Sequence, residues 1–227
     1  MRLPAGLQKT EKKGKEPSML SKTSITKAEI NEQPLIEYRG GITLISRDTD
    51  LAPVLEVLNR ETVLGFDTET RPAFRKGESY LPSLLQLAGE DHVWLFQLQQ
   101  LQDLSGLFAV LARKDILKCG AAISRDVKEL QDLHPFKAGG FADVGHMAEK
   151  RGFKNTGLRP LTALLLEGRI SKSAQVSNWA AETLEPKQIT YAATDAWVSR
   201  KLYFALREIP ETPKDKQPPT ELNRKGP

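Results

Sequence analysis

Two carboxylates separated by one residue end the apolar stretch Val63-Leu64-Gly65-Phe66-Asp67-Thr68-Glu69-Thr70. Successive side chains of a β-strand point to opposite faces, so Asp67 and Glu69 are predicted to share a face. Two like charges at the end of a buried strand repel each other and lose hydration, which costs stability unless a cation lies between them. Oxygen ligands without a nearby His or Cys indicate Mg²⁺ or Mn²⁺ rather than zinc. A chain with 29 acidic residues contains such pairs by chance, so the prediction depends on partners further along.

A second acidic residue, Asp195, belongs to a stripe of residues on the last predicted helix. The stripe recurs at steps of four and three residues and consists of Tyr191, Asp195, Val198, Leu202, Ala205 and Ile209. Its apolar members must face the core, so Asp195 is predicted to be buried one turn after Tyr191. A buried aspartate needs a partner. The common partner is an Arg or a backbone amide, and the alternative is a metal ion shared with Asp67.

A third acidic residue, Asp126, follows a predicted strand at the start of a helix, in the segment Ile123-Ser124-Arg125-Asp126-Val127. An Asp in the first turn of a helix is common, because it interacts favourably with the helix dipole. Asp126 taken alone therefore predicts no function. Its meaning depends on the other two acidic motifs.

The order of these motifs resembles that of a known family. An Asp-x-Glu on a strand, an Asp at a helix start and a Tyr-x-x-x-Asp on a long C-terminal helix are similar to the DEDD superfamily of 3′–5′ exonucleases (DnaQ-like), in its Tyr-containing DEDDy branch. The resemblance runs from about Leu35 to Glu208 and is strongest to the exonuclease domain of the Werner-syndrome helicase and the catalytic domain of ribonuclease D. The segments 172–179 and 191–196 are similar to the region before and through the third motif of that family. The sister branch has a His where this chain has Thr190.

The resemblance implies a two-metal hydrolysis of the terminal phosphodiester that releases nucleoside monophosphates from a free 3′ end. In this family two Mg²⁺ or Mn²⁺ ions lie roughly 3.5–4 Å apart and stabilise the attacking and leaving oxygens. Carried over by motif, Asp67 bridges both ions, while Glu69 and Asp195 bind the ion that activates water. Asp126 holds the second ion through water. The Tyr191 hydroxyl orients the attacking water.

Basic residues near these motifs are candidates for contacts with substrate phosphates. The alternative for each one is an ordinary solvated cation. The candidates are Arg71, Arg75 and Lys76, in the loop after the first motif, with Lys172, Lys150, Arg151 and Lys154. Trp179 and Phe66 are predicted to belong to the core rather than to stack on bases.

The elements that must position these residues indicate a ribonuclease H-like α/β fold, with a mixed five-stranded sheet flanked by helices. Strand-like segments are concentrated in the first half of the chain and helical segments in the second. The predicted strands are 42–45, 63–69, 84–88, 93–96 and 116–119. The predicted helices begin near Asp48 and Ser124 and also span 101–112, 141–150, 157–166 and 186–208. Pro160 is tolerable only if it lies in the first turn of its helix.

Charge divides the chain into three parts. Residues 1–33 carry seven Lys/Arg and four Asp/Glu, and residues 210–227 carry four and three, so the two ends account for the whole net charge of +4. We expect a disordered basic arm at 1–33, an exonuclease domain at 34–209 and a disordered Pro-rich tail at 210–227. The absence of a long apolar run and of a signal peptide, with a single Cys119, predicts a cytoplasmic protein without a membrane partner.

The sequence therefore favours a metal-dependent 3′–5′ exonuclease acting on nucleic acid, with DNA favoured over RNA. No second helical domain follows residue 209, which argues against a ribonuclease D role. Three alternatives remain: a catalytically silent nucleic-acid-binding module on the same fold, an RNA-trimming ribonuclease D-like exoribonuclease, and an unrelated phosphohydrolase of small nucleotides. Protein partners are not predicted.

Overall fold

A computed structural model describes residues 22–213, which are built around one six-stranded mixed sheet. The strands are β1 Gly41–Ile45, β2 Val63–Glu69, β3 Leu84–Ala88, β4 His92–Gln97, β5 Leu117–Gly120 and β6 Phe141–Asp143. Their order across the sheet is β1-β4-β3-β2-β5-β6. β3 pairs antiparallel with β2 and β4, and the other three pairings are parallel.

Helices cover both faces of this sheet. They are α1 Lys27–Glu32, α2 Asp48–Leu58, α3 Ser105–Ala112, α4 Ser124–Leu133, α5 Val144–Glu149, α6 Leu158–Leu166 and α7 Pro186–Arg207. One face of the sheet packs against α2, α3 and α4, where Phe108 and Leu130 join Phe66 in a core cluster. The opposite face carries α5, α6 and α7. The predicted mixed sheet between layers of helices is confirmed.

β2 lies between β3 and β5, so both of its edges are hydrogen-bonded. In the register, Asp67 is opposite Gln86 of β3, and Gly65 is opposite Cys119 of β5. A strand in this position is buried along most of its length, which explains its apolar first half. The two acids therefore lie where the central strand ends.

The predicted helix 141–150 begins three residues too early, and the predicted strand count of five is wrong. Phe141 to Asp143 form a sixth strand that pairs parallel with β5. The Asp143 side chain then accepts hydrogen bonds from the amides of Gly145 and His146, at 2.8 and 3.2 Å, and starts α5. Pro160 is the third residue of α6, so it lies in the first turn as expected.

The predicted disordered arm is wrong for residues 22–33. Thr26 and Glu29 form a reciprocal capping box at the start of α1, and Ile30 is buried. The Ile25 amide also donates a hydrogen bond to Asn155 Oδ1 at 2.8 Å. These contacts hold the segment against the domain. The remainder of the arm, residues 1–21, lies outside the described residues.

The predicted disordered tail is wrong at its first residues. The Thr212 amide donates a hydrogen bond to the Lys150 carbonyl at 2.9 Å, and the Glu211 carboxylate lies 3.6 Å from the Arg151 guanidinium. Glu211 and Thr212 therefore contact the domain, and residues 214–227 lie outside the described residues. Between residues 22 and 213, no helix is both long and apolar enough to cross a membrane.

Candidate active site

Three carboxylates from two elements meet where β2 ends. One oxygen each from Asp67, Glu69 and Asp195 lies within 4.8 Å of the other two. β2 supplies Asp67 and Glu69, and α7 supplies Asp195. Asp195 is only 6% exposed, as the position of its stripe predicts. The structure therefore brings together the first and last motifs of the sequence.

Gly65 allows α7 to approach β2 this closely. A Cβ added at Gly65 would lie 1.9 Å from the backbone oxygen of Ala196, which is too close for any side chain. The facing residues of α7, Ala192, Ala193 and Ala196, are small and fully buried. The close approach of helix to strand places Asp195 beside the acids of β2.

Burial raises the pKa of each carboxyl group in the cluster. The pKa of Asp67 rises well above its ordinary value through burial first, and then through the charges of Asp195 and Asp126. Burial, with a smaller effect of the Asp67 charge, raises the pKa of Glu69 to about 10. Burial also raises the pKa of Asp195 to about 7, although the neighbouring Tyr191 hydroxyl opposes this change. The cluster is therefore unfavourable as a set of bare anions.

The donor atoms of the cluster fit a hard divalent cation. All three are carboxylate oxygens, the ligand type that Mg²⁺ and Mn²⁺ prefer. Among the described residues, Asp195 Oδ1 is buried without a hydrogen-bond partner, and no ion pair involves Asp195. A cation would supply the partner that this buried oxygen needs. The geometry thus favours the metal-ligand interpretation of Asp195 over a structural ion pair.

Asp126 reaches the end of β2 from α4, in the layer opposite α7. The chain turns sharply before α4 at Ala122, which has a left-handed φ of 58°. Asp126 Oδ1 then accepts a hydrogen bond from Thr68 Oγ1 at 2.6 Å. Its carboxylate is not one of the three within 4.8 Å, yet its charge contributes to the raised pKa of Asp67. Asp126 therefore lies at the edge of the cluster.

Tyr191 lies one helical turn before Asp195 and is half-buried. Its hydroxyl lies close enough to the Asp195 side chain to lower the pKa of that carboxyl group. Burial and the neighbouring acids raise the pKa of the phenol well above its ordinary value. Tyr191 therefore keeps its proton at neutral pH. Its ring packs against Trp179, with ring centroids 5.9 Å apart.

A cleft of about 360 Å³ opens beside the acids. Asp67, Tyr191 and Asp195 line one side of it, and the predicted phosphate contact Lys172 also lines it. The loop that carries Arg71, Arg75 and Lys76 leaves β2 directly after Glu69. In that loop Arg75 and Lys76 are exposed, and the Arg71 guanidinium lies 4.2 Å from the centroid of the Tyr80 ring.

Arg151 serves the fold rather than the site, so the prediction of a phosphate contact there is wrong. Its Nε donates to the carbonyls of Leu206 and Ile209, at 2.7 and 2.8 Å, and its Nη1 donates to the Met147 carbonyl. The guanidinium therefore closes the C-terminal end of α7. Phe66 and Trp179, at 0% and 1% exposure, belong to the core as predicted.

Two residues that the sequence did not single out lie at the site. Thr68 holds Asp126, and Arg159 lines the cleft beside Asp67 and Asp195. Thr68 stands between the two acids of the first motif, so its position was visible in the sequence, but its bond to Asp126 was not. The place of Arg159 depends on how α6 packs beside α7, and no local pattern in the sequence indicates it.

A comparison with protein families identifies the family to which this chain belongs. A family model described as 3′–5′ exonuclease matches residues 42–210, from β1 to just beyond the end of α7. The chain belongs to this 3′–5′ exonuclease family. The matched range includes every acidic residue of the site and Tyr191, and the predicted family is confirmed.

Individual relatives support the same assignment. Ribonuclease D of Granulibacter bethesdensis is 30% identical, over 73% of this chain and 42% of its own. The bifunctional 3′–5′ exonuclease/ATP-dependent helicase WRN of Mus musculus is 28% identical, over 79% of this chain and 14% of its own. This chain thus spans less than half the length of either relative. The predicted resemblance to both proteins is confirmed.

The crystal structure of the Nibbler EXO domain of Aedes aegypti is also similar to this chain. The two agree with a TM-score of 0.70 at 25% identity, over 76% of this chain and 91% of that domain. The ribonuclease H-like fold class is confirmed, with six strands instead of five. The roles of individual residues in the reaction stay predictions.

Proposed function

We propose that this exonuclease removes nucleotides from a free 3′ end of nucleic acid, prefers DNA over RNA, and depends on two Mg²⁺ or Mn²⁺ ions. The observation that carries the proposal is the group of three carboxylate oxygens within 4.8 Å, one of them buried without a partner. A silent binding module would gain nothing from this cluster, because the cluster costs stability when no cation is bound.

The four acids would hold two ions between them. Asp67, Glu69 and Asp195 would hold one ion, and Asp67 with Asp126 would hold the other, the latter through water. When bound, two such ions lower the pKa of the attacking water and stabilise the attacking and leaving oxygens. The protonated Tyr191 hydroxyl, beside Asp195 in the cleft, would orient that water. The products are nucleoside monophosphates.

The basic residues around the cleft suit binding of moderate affinity to a single-stranded or recessed 3′ end. Lys172 lines the cleft, and Arg71, Arg75 and Lys76 lie in the loop that follows Glu69. Residues 34–209 carry balanced charges, which disfavours tight binding to a long duplex. The similarity to DNA polymerase I of Aquifex aeolicus, which is 26% identical over 73% of this chain, supports DNA as the preferred strand.

RNA trimming is the second candidate. Ribonuclease D of Granulibacter bethesdensis matches this chain at 30% identity, slightly above the Werner-type relative. Selection between DNA and RNA depends on contacts with the 2′-hydroxyl group. One experiment on both strands therefore decides between these two candidates.

The test uses 3′- and 5′-labelled single-stranded and recessed DNA, with matching RNA, in Mg²⁺, Mn²⁺ or EDTA. We expect a ladder that shortens from the 3′ end, requires either metal, and is absent for Asp67→Ala. Circular dichroism checks that this variant keeps the fold, and Asp132→Ala, an exposed aspartate on α4, serves as the matched control. Activity that survives in Asp67→Ala would overturn the assignment. Binding without cleavage by the wild type would revive the silent module, and cleavage of mononucleotides alone would favour a small-nucleotide phosphohydrolase.

A further inference from the structure

Arg159 occupies an unusual position among the arginines of this exonuclease. It is the second residue of α6, and it lines the cleft together with Asp67, Tyr191 and Asp195. Its charge lies close enough to Asp195 to lower the pKa of that carboxyl group. It is therefore a cation at the wall of an acidic site.

The protein itself leaves part of the Arg159 guanidinium without a partner. Its Nε is buried and has no hydrogen-bond acceptor among residues 22–213. Arg113, Arg151 and Arg169, by contrast, each donate to backbone carbonyls. A buried donor without an acceptor costs stability, so its persistence points to an acceptor that arrives with a ligand.

The surroundings of Arg159 suit an anion. α6 begins at the cleft, and no side chain caps its N-terminus. The partial positive charge at a helix start favours a phosphate oxygen placed there. Lys172 lines the same cleft and adds a second cation. Asp67 and Asp195 define the side of the cleft at which a phosphate would meet the metal ions.

The charges of the site require such a cation during the reaction. Four carboxylates and two divalent ions neutralise each other, so they leave no net charge to balance a phosphodiester. The substrate adds one negative charge, and more negative charge develops on the phosphate oxygens as water attacks. Fixed donors aimed at developing charge are a large source of rate acceleration. A guanidinium can give two hydrogen bonds to one phosphate.

We infer that Arg159 binds a non-bridging oxygen of the scissile phosphodiester and acts as a further catalytic residue of this exonuclease. The inference rests on the proposed function. The competing role is purely structural, with Arg159 as the counter-ion of Asp195 in the metal-free protein. The two roles predict different effects of replacing Arg159: a catalytic role predicts slower cleavage and weaker product binding, and a structural role predicts lower stability without metal.

The experiment compares the wild type, Arg159→Ala, Arg159→Lys and the control Arg60→Ala. Arg60 is exposed and precedes the opposite end of β2 from the acids. Single-turnover cleavage of 3′-labelled DNA in Mg²⁺ gives the rate. Calorimetry of the Mg²⁺-loaded protein with deoxyadenosine monophosphate, a reaction product, gives a binding constant that does not depend on turnover. Melting in EDTA and in Mg²⁺ reports folding and metal binding.

We expect Arg159→Ala to cleave on the order of 100-fold more slowly, as for the loss of one donor to developing charge. We expect product binding to weaken about 10-fold, the loss of a charge-assisted hydrogen bond. Arg159→Lys should recover part of both, and the melting shift caused by Mg²⁺ should remain in each variant. A normal rate and normal product affinity in Arg159→Ala, with a lower melting temperature only in EDTA, would show a counter-ion and overturn the inference. A wild type that does not cleave would instead refute the proposed function.

Discussion

Among the residues of the proposed mechanism, Tyr191 is the one that would act in its neutral, protonated form. Burial and the acids around it keep its phenol protonated, so we expect it to act by hydrogen bonding rather than as a base. We expect Tyr191→Phe to lower the rate of cleavage on the order of 100-fold, within the range for a positioned group at a reacting centre. The ring packing against Trp179 should remain, because phenylalanine has the same ring. Single-turnover kinetics on 3′-labelled DNA measures the effect.

The same variant separates orientation of water from support of the metal site. The three carboxylates within 4.8 Å are unchanged in Tyr191→Phe, so stabilisation by Mg²⁺ should be retained. Tyr203→Phe, on the same helix away from the cleft, is the matched control. If Tyr191→Phe lost the thermal shift with Mg²⁺ together with its activity, the hydroxyl would be needed to assemble the site rather than to orient water.

At this scale, sequence patterns predicted the acids well and the cations poorly. Asp67 and Glu69 follow from strand alternation, and Asp195 follows from a helical stripe, because both patterns fix the direction of a side chain relative to its own element. Arg159 meets Asp195 only through the packing of α6 beside α7, which no local period encodes. Arg151 was misjudged for the same reason, since its acceptors are carbonyls at the distant end of α7.

At the scale of elements, a buried lysine ties β5 to the helix before it. Lys118 is fully buried, and its Nζ donates to the carbonyls of Arg113 and Ile116 at 2.6 and 2.7 Å, with Val110 at 3.4 Å. Val110 and Arg113 belong to the last turn and the C-cap of α3. The ammonium therefore satisfies carbonyls that a helix end leaves without partners. β5 in turn leads to α4 and Asp126.

We expect Lys118→Met to lower the free energy of unfolding by about 3 kcal/mol at pH 7, because buried carbonyls lose their donor. Lys114→Met, an exposed lysine of the same connection, should change it by less than about 0.5 kcal/mol. Urea denaturation measures both. Equal stability of wild type and Lys118→Met would show that the carbonyls find water instead.

The difference in stability between the wild type and Lys118→Met should also depend on pH. Burial lowers the pKa of Lys118 to about 8, from 10.5. Between these values the unfolded chain binds more protons at this residue than the folded one, so the lysine contributes more stability as pH rises from about 8 to about 10.5. The stability difference between wild type and Lys118→Met should therefore widen across this window, by up to roughly 3 kcal/mol. A difference that is independent of pH would contradict the lowered pKa.

Long elements, which contain several repeats of their hydrophobic pattern, were predictable from the sequence, and short elements were not. α7 runs for 22 residues and was predicted within one residue at its end. β6 has three residues and α1 has six, which is too few for a period to emerge. The capping box of Thr26 and Glu29 was the local signal for α1. For β6 the decisive contact is the pairing with β5, which depends on the sheet rather than on the segment itself.

At the scale of the whole molecule, the position of the acid cluster predicts that metal binding stabilises the folded domain. Asp67 and Glu69 come from a strand of the sheet. Asp195 comes from a helix on one face of the sheet, and Asp126 comes from a helix on the other face. A cation bound by all of them would stabilise the folded arrangement and have no matching site in the unfolded chain. We therefore expect a bound metal ion to affect the stability of the domain as well as its chemistry.

We expect Mg²⁺ or Mn²⁺ to raise the melting temperature of this exonuclease relative to EDTA. A ligand at 100 times its Kd adds about 2.7 kcal/mol, which for a domain of this size corresponds to a shift of roughly 5–10 °C. Differential scanning calorimetry, with KCl at matched ionic strength as the control, measures this shift.

Asp67→Asn should lose most of the shift. In EDTA this variant should melt at or above the wild-type temperature, because it removes one of the mutually repelling buried carboxyl groups. A wild type that does not respond to metal, or a variant that keeps the full response, would show that these acids do not form an assembled metal site.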